Sequence, residues 1–187
     1  TLSSSSTASD VYKRQVGITP KTPLIGWSMT KSLTHALIGI GVQKGELQLN
    51  ESLLLPEWRK DNDARQMITL DHLLRMNSGL AFDERTRSLD SDLVNMLTQE
   101  ANTGRFASNK PLTGRIGSDW SYSSGTTNIL SRGLRLAINN DRDYWSYPYE
   151  ALFKPIGMAS AYLETDSSGN FVASSSVSYT HLRAHET

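Results

Sequence analysis

Gly26-Trp27-Ser28-Met29-Thr30-Lys31-Ser32 is the stretch on which the fold turns. It opens a run over 28–44 in which Met29, Leu33, Leu37, Ile40 and Gly41 recur at three-to-four spacing, the period of an amphipathic helix buried along one stripe. Lys44-Gly45 closes that helix with a cation in the last turn and a glycine cap. Gly39 and Gly41 lower helix propensity, so their presence predicts close packing against a neighbour. Ser28 and Lys31 fall on one face about a turn apart, which brings the amine within hydrogen-bond reach of the hydroxyl. An amine so placed can take the proton as the hydroxyl attacks a carbonyl, and the N–H groups of a helix start favour the oxyanion that develops. Taken alone the spacing is common, and it then reads more readily as a serine N-cap followed by a solvated lysine.

Outward from this helix, 46–57 reads as a connector holding Leu47, Leu49 and the run Leu53-Leu54-Leu55, closed by Pro56. Thr69 is an N-cap for a short helix over 70–76, ending at Asn77-Ser78-Gly79. Asp90 or Ser91 caps another through about 100, with Leu93, Val94 and Leu97 on one face. The stretch 102–119 is rich in Gly, Asn, Ser and Pro and reads as loop. Helices follow over about 127–139 and 142–153, and Phe171-Val172-Ala173 has weak strand character. The fold class expected is α+β, predominantly helical, with little strand to build a sheet.

Composition narrows the function. Hydrophobic residues at 37% and charged residues at 20% fit a globular domain. Lys plus Arg and Asp plus Glu are both 19, so no global field favours nucleic acid or an anionic membrane as partner. No apolar run approaches the ~18 residues that span a bilayer. Cysteine is absent, which excludes disulfides, thiolate nucleophiles and Cys-based zinc sites.

A second chemical element is Trp120-Ser121-Tyr122-Ser123-Ser124-Gly125, between the polar loop and the helix after it. A tyrosine there can offer its phenol to a cleft as a proton shuttle for Ser28 and Lys31. Read alone, it is a packed tyrosine before a serine-rich helix start.

Together, Gly26-Trp27-Ser28-Met29-Thr30-Lys31-Ser32 and Tyr122-Ser123-Ser124-Gly125 resemble the first two motifs of the serine β-lactamase and penicillin-binding-protein superfamily, nearest its class C and esterase-like branch. Between them, Ile68-Thr69-Leu70-Asp71-His72-Leu73-Leu74-Arg75-Met76-Asn77-Ser78-Gly79-Leu80 looks like a helix-and-turn signature of that branch, and Leu152-Phe153-Lys154-Pro155-Ile156-Gly157-Met158 like another. The resemblance covers about 16–175. It implies the helical domain and active-site helix of the β-lactamase/transpeptidase-like fold with an incomplete antiparallel sheet. It also implies acyl transfer: Ser28 as nucleophile, Lys31 as base or electrostatic partner, Tyr122 as proton shuttle to the leaving group. Trp27 belongs at the cleft, and Ser124 stands where many relatives carry an asparagine that binds the substrate amide. No cofactor is implied. The partner is a small-molecule ester or amide, of β-lactam, D-amino peptide or linear amide class. The extended motifs look most like esterases and aminohexanoate-oligomer hydrolases. A reading from another class is a penicillin-recognising sensor, acylated without turnover.

One departure matters. The superfamily's third motif, Lys-Thr-Gly or His-x-Gly on a late strand, does not follow Tyr122 in these 187 residues, so little or no activity is expected of them. The ends differ in character from the middle. The tail over 177–187 reads like a translated transposase-end sequencing adapter, 10–15 like the opposite adapter, and the serine-rich 1–9 like its upstream primer. Native sequence is therefore expected over 16–175, flanked by non-native segments at 1–15 and 176–187. On that expectation His181 and His185 are not candidate ligands, and export and cytoplasmic location stay equally open.

Other residues are set aside. His35 and His72 read as helix histidines satisfied by packing or backbone. Asp61, Asp63, Asp83, Glu84, Asp141 and Asp143 read as solvated loop and cap residues rather than a metal site. Trp58, Trp120, Trp145 and Tyr149 read as core before they read as a binding wall.

Overall fold

The computed structural model describes residues 22–52 and 55–179. The helix that carries the Ser-Lys spacing runs Thr30–Gln43 (α1). It is preceded by a tight 3₁₀ turn, Trp27–Met29, and a two-residue strand, Leu24–Ile25 (β1). Gly45, at φ +75, ends α1 as expected: its N–H donates to the Val42 carbonyl and that of Glu46 to Gly41. The buried stripe is rotated from the one the apolar residues define. It consists of Thr30, Lys31, Thr34, Leu37, Ile38 and Gly41, whereas Met29 is exposed and Leu33 and Ile40 are only partly covered. The cause lies far along the chain. Segment 173–177 crosses the first turns of α1, and its backbone needs hydrogen-bond partners once buried. The Thr34 hydroxyl donates to the Ala173 carbonyl (2.9 Å), Lys31 Nζ to the Ser174 carbonyl (3.0 Å), and the Val177 N–H to Thr30 Oγ1 (3.2 Å). Of the two glycines expected to pack closely, Gly41 does, since a Cβ there would meet Leu47 Cδ1 at 3.1 Å; Gly39 faces open space.

The second helix, Leu70–Leu74 (α2), starts with a reciprocal cap: the His72 N–H donates to Thr69 Oγ1 and the Thr69 N–H to His72 Nδ1. It stops two residues short of 76 because Met76 adopts φ +55, which lets the Asn77 N–H reach back to the His72 carbonyl. Ser91 caps Asp92–Thr98 (α3), which buries Met96 with Leu93 and Leu97 beside it. The stretch expected to be loop contains a helix, Thr103–Ser108 (α4), capped by Asn102. Tertiary contact overrides its poor local propensity: a Cβ at Gly104 would lie 2.8 Å from the Asn128 carbonyl, so only glycine allows this approach to the next helix. That helix, Ser124–Ile138 (α5), begins three residues earlier than expected, capped by Ser123, and ends at Asn139 in the left-handed conformation. Asn140 caps Asp141–Pro148 (α6), which continues into a wide π turn, Tyr149–Phe153.

Two further strands, Tyr162–Leu163 (β2) and Val177–Tyr179 (β3), complete an antiparallel sheet ordered β1-β3-β2. Ile25 and Tyr162 both face Ser178 across it. The α+β, predominantly helical class is the one expected, and the sheet is as small. The strand expected at 171–173 is reduced to a single bridge between Thr165 and Phe171. The central strand lies downstream, within the tail set apart by its sequence.

Helices α1, α2, α3 and α5 close over a core in which Ile38, Trp58, Ile68, Leu73, Met96, Ile129, Leu130 and Phe153 are fully buried. Tyr144 and Trp58 pair their buried polar atoms, whereas Thr127 Oγ1 and Asn128 Oδ1 have no partner among the described residues. Tyr144 exchanges a hydrogen bond with Ser131 (2.7 Å) and accepts from the Phe171 N–H (2.9 Å), and burial pushes its phenol well above the usual range. Trp58 is core, as expected, and donates to the Ser108 carbonyl, whereas Trp120 and Trp145, also expected in the core, are exposed. Among the described residues no helix is long and apolar enough to cross a membrane.

Candidate active site

The turn before α1 sets the first group. Gly26 is tied to β3 through its N–H to the Val177 carbonyl, and Trp27 then turns at φ +44. A bulky residue in that region carries strain of about 1–3 kcal/mol. The result is an exposed Ser28 directly ahead of a buried helix face. Trp27 itself is 61% exposed beside it.

Lys31 follows one turn later. It is 6% exposed, and its Nζ sits 3.2 Å from Ser28 Oγ and 3.0 Å from the Ser174 carbonyl. The same Nζ lies 4.9 Å from the centre of the Tyr122 ring, within cation–π range. Among the described residues no carboxylate pairs with it; its hydrogen-bond partners are a hydroxyl and a carbonyl. His35, a further turn along, is partly buried, and burial lowers its pKa.

Tyr122 arrives on the loop between α4 and α5. That loop is held from the α2 side: the Gly117 N–H donates to the Asn77 carbonyl (2.8 Å) and the Ser121 N–H to the Met76 carbonyl (2.9 Å). Gly79, at φ +75, packs against Gly114, where a Cβ would come within 2.6 Å of the carbonyl oxygen. Tyr122 remains 37% exposed.

Ser28, Lys31 and Tyr122 are thus brought together. Ser124 is not presented in the same way. It is 3% exposed, its N–H donates to Glu84 Oε2 (2.8 Å) and its hydroxyl to Glu84 Oε1. Glu84, read from sequence as a solvated loop residue, is therefore engaged here. Two further residues escaped the sequence. Ser174 contributes a carbonyl, which no side-chain pattern reveals. Asn128, fully buried on α5, donates from Nδ2 to Ser174 Oγ (3.1 Å), while its Oδ1 has no partner among the described residues. Among the described residues no group of three or more His, Asp or Glu is placed to hold a metal ion.

Comparison with known proteins adds three findings. A family model described as Beta-lactamase matches residues 8–184. No curated protein matches the chain. Solved structures share the fold at low identity. A provisionally assigned 6-aminohexanoate-dimer hydrolase from Bacillus anthracis is 20% identical with a TM-score of 0.71, covering 89% of this chain and 46% of its own. The octameric penicillin-binding protein homologue from Pyrococcus abyssi is 18% identical, TM-score 0.63, covering 86% and 43%. A β-lactamase/D-alanine carboxypeptidase from Yersinia pestis is 19% identical, TM-score 0.63, covering 86% and 51%. The chain thus spans about half the length of these structures.

Proposed function

Because the chain belongs to the β-lactamase family, we propose that it carries the nucleophilic half of a serine hydrolase site, acting on an ester or amide through an acyl-enzyme. The observation that carries this is the convergence at Lys31, whose Nζ is 3.2 Å from the Ser28 hydroxyl and 4.9 Å from the Tyr122 ring centre. Ser28 Oγ attacks the carbonyl carbon and its proton passes to the Lys31 amine. The tetrahedral adduct collapses as the bond to the leaving group breaks. Tyr122 gives its proton to the leaving oxygen or nitrogen and is reprotonated by Lys31 with the proton taken from Ser28, so that in net one proton passes from the serine hydroxyl to the departing group. Water then cleaves the Ser28 ester and restores the hydroxyl. The similarity to a 6-aminohexanoate-dimer hydrolase and to a β-lactamase/D-alanine carboxypeptidase supports an amide as the substrate class.

The alternative reading of the same residues is a penicillin-recognising sensor, acylated by a β-lactam without turnover. A fluorescent β-lactam separates the two: a stable one-to-one adduct supports the sensor, and release of ring-opened product supports the hydrolase.

The role given to Tyr122 has a leaving-group signature. Tyr122→Phe should slow Ser28 acylation by a phenyl ester about 100-fold, the scale of general acid catalysis. With the corresponding 4-nitrophenyl ester, whose leaving group needs no proton, the loss should be under about tenfold. Equal losses with both esters would remove the shuttle role.

A further inference from the structure

Tyr122 is bracketed by two anchors that come from a single segment, residues 76–84. On its N-terminal side the Ser121 N–H donates to the Met76 carbonyl, which the left-handed φ of Met76 turns toward the loop. On its C-terminal side both oxygens of Glu84 are spent on Ser124, one on the N–H (2.8 Å) and one on the hydroxyl. Ser124 is the first residue of α5, so the carboxylate lies where the unpaired N–H groups and the dipole of a 15-residue helix favour negative charge. A third contact backs these two. A Cβ on Gly125 would fall 2.5 Å from the Phe82 ring, so the residue after Ser124 is pressed against the same segment. The segment is itself fixed to α3, since the Asp83 N–H donates to Asp92 Oδ2 and the Leu93 N–H to the Asp83 carbonyl.

We infer that Glu84 is a positioning residue: by clamping the start of α5 through Ser124, it fixes the Tyr122 phenol against the Ser28–Lys31 pair. This rests on the reading of Tyr122 given above. Glu84 touches neither Ser28 nor Lys31, and Ser123 between clamp and phenol is extended (φ −148, ψ +116), so a shift of Ser124 is passed on to Tyr122 with little slack. The clamp needs an acceptor at the Ser124 N–H, and a glutamine amide supplies one while its NH₂ can still meet the hydroxyl.

The test is the rate of Ser28 acylation by a phenyl ester in the full chain, followed by intact mass. Glu84→Ala should lower it about tenfold, Glu84→Gln should stay within about threefold of the parent, and in a Tyr122→Phe background Glu84→Ala should cost less than about twofold more, the non-additivity expected of residues acting as one unit. Far-UV circular dichroism checks that each variant folds; if Glu84→Ala does not, Glu84→Met, which keeps volume without an acceptor, takes its place. A full tenfold loss in the Tyr122→Phe background, or a glutamine variant as slow as alanine, overturns the inference. If Tyr122→Phe alone changes nothing, the reading of Tyr122 falls. If Tyr122→Phe slows acylation and Glu84→Ala does not, only the role of Glu84 falls.

Discussion

Replacing Lys31 by methionine should slow acylation of Ser28 by about 100-fold or more, the range for losing a positioned proton acceptor, while the chain stays folded. Methionine fills most of the volume of the lysine stem, so the 6% exposed position on α1 is not left as a cavity. What is lost is the amine 3.2 Å from Ser28 and its bond to the Ser174 carbonyl. That carbonyl is left short of a partner, at a cost of about 1–3 kcal/mol. Stability and reactivity therefore separate: a small shift in the urea midpoint accompanies a large kinetic loss. A kinetic loss of only two- or threefold would mean that the hydroxyl is activated by something other than Lys31. The natural control is Thr34→Val, which removes the neighbouring bond to the Ala173 carbonyl and should move stability with little change in rate.

The second large effect concerns stability alone. Arg132 on α5 and Glu57 form an ion pair with both side chains only 12% exposed, and Ser108 donates to the same carboxylate. Removing one partner strands the other charge, so Arg132→Met should destabilise the fold by about 3 kcal/mol or more, read from chemical unfolding. The Arg132→Met/Glu57→Leu pair should recover most of that loss, because buried ion pairs offset much of their attraction by desolvation. Burial alone would raise the Glu57 carboxyl, but the hydrogen bonds from Arg132 and Ser108 and the Arg132 charge outweigh it and hold the pKa below its ordinary value. The stability so gained is fully present above the unfolded value of about 4.3 and drains away as pH falls through the folded one, where native and unfolded chains bind protons alike. Glu57→Gln should accordingly flatten part of the acid limb of the stability profile. An unchanged acid limb would contradict this account of the pair.

What could be read from the sequence depended on how local its cause was. Helix ends set by short-range chemistry were legible: Gly45 after α1, Thr69 before α2, Ser91 before α3. The Ser28–Lys31 pairing was legible for the same reason, since helical spacing alone sets it. The buried face of α1 was not, because Thr30, Lys31 and Thr34 are buried by a segment some 140 residues away in sequence, whose backbone they satisfy. Helix α4 is not legible because a composition typical of loops is there forced into a helix by close approach to α5 at Gly104. Glu84 reads as a solvated acid because nothing beside it in sequence announces Ser124. Tyr122 could be singled out by its motif, but its reach to Lys31 depends on a loop anchored to Met76 and Asn77, which spacing does not disclose.

The reactivity of the Ser28 hydroxyl is the most direct test of its role as nucleophile. Incubating the chain with a fluorophosphonate and mapping the adduct by peptide mass spectrometry should place a single label on Ser28, absent from Ser28→Ala. A label on another serine, or equal labelling of the parent and Ser28→Ala, would contradict it.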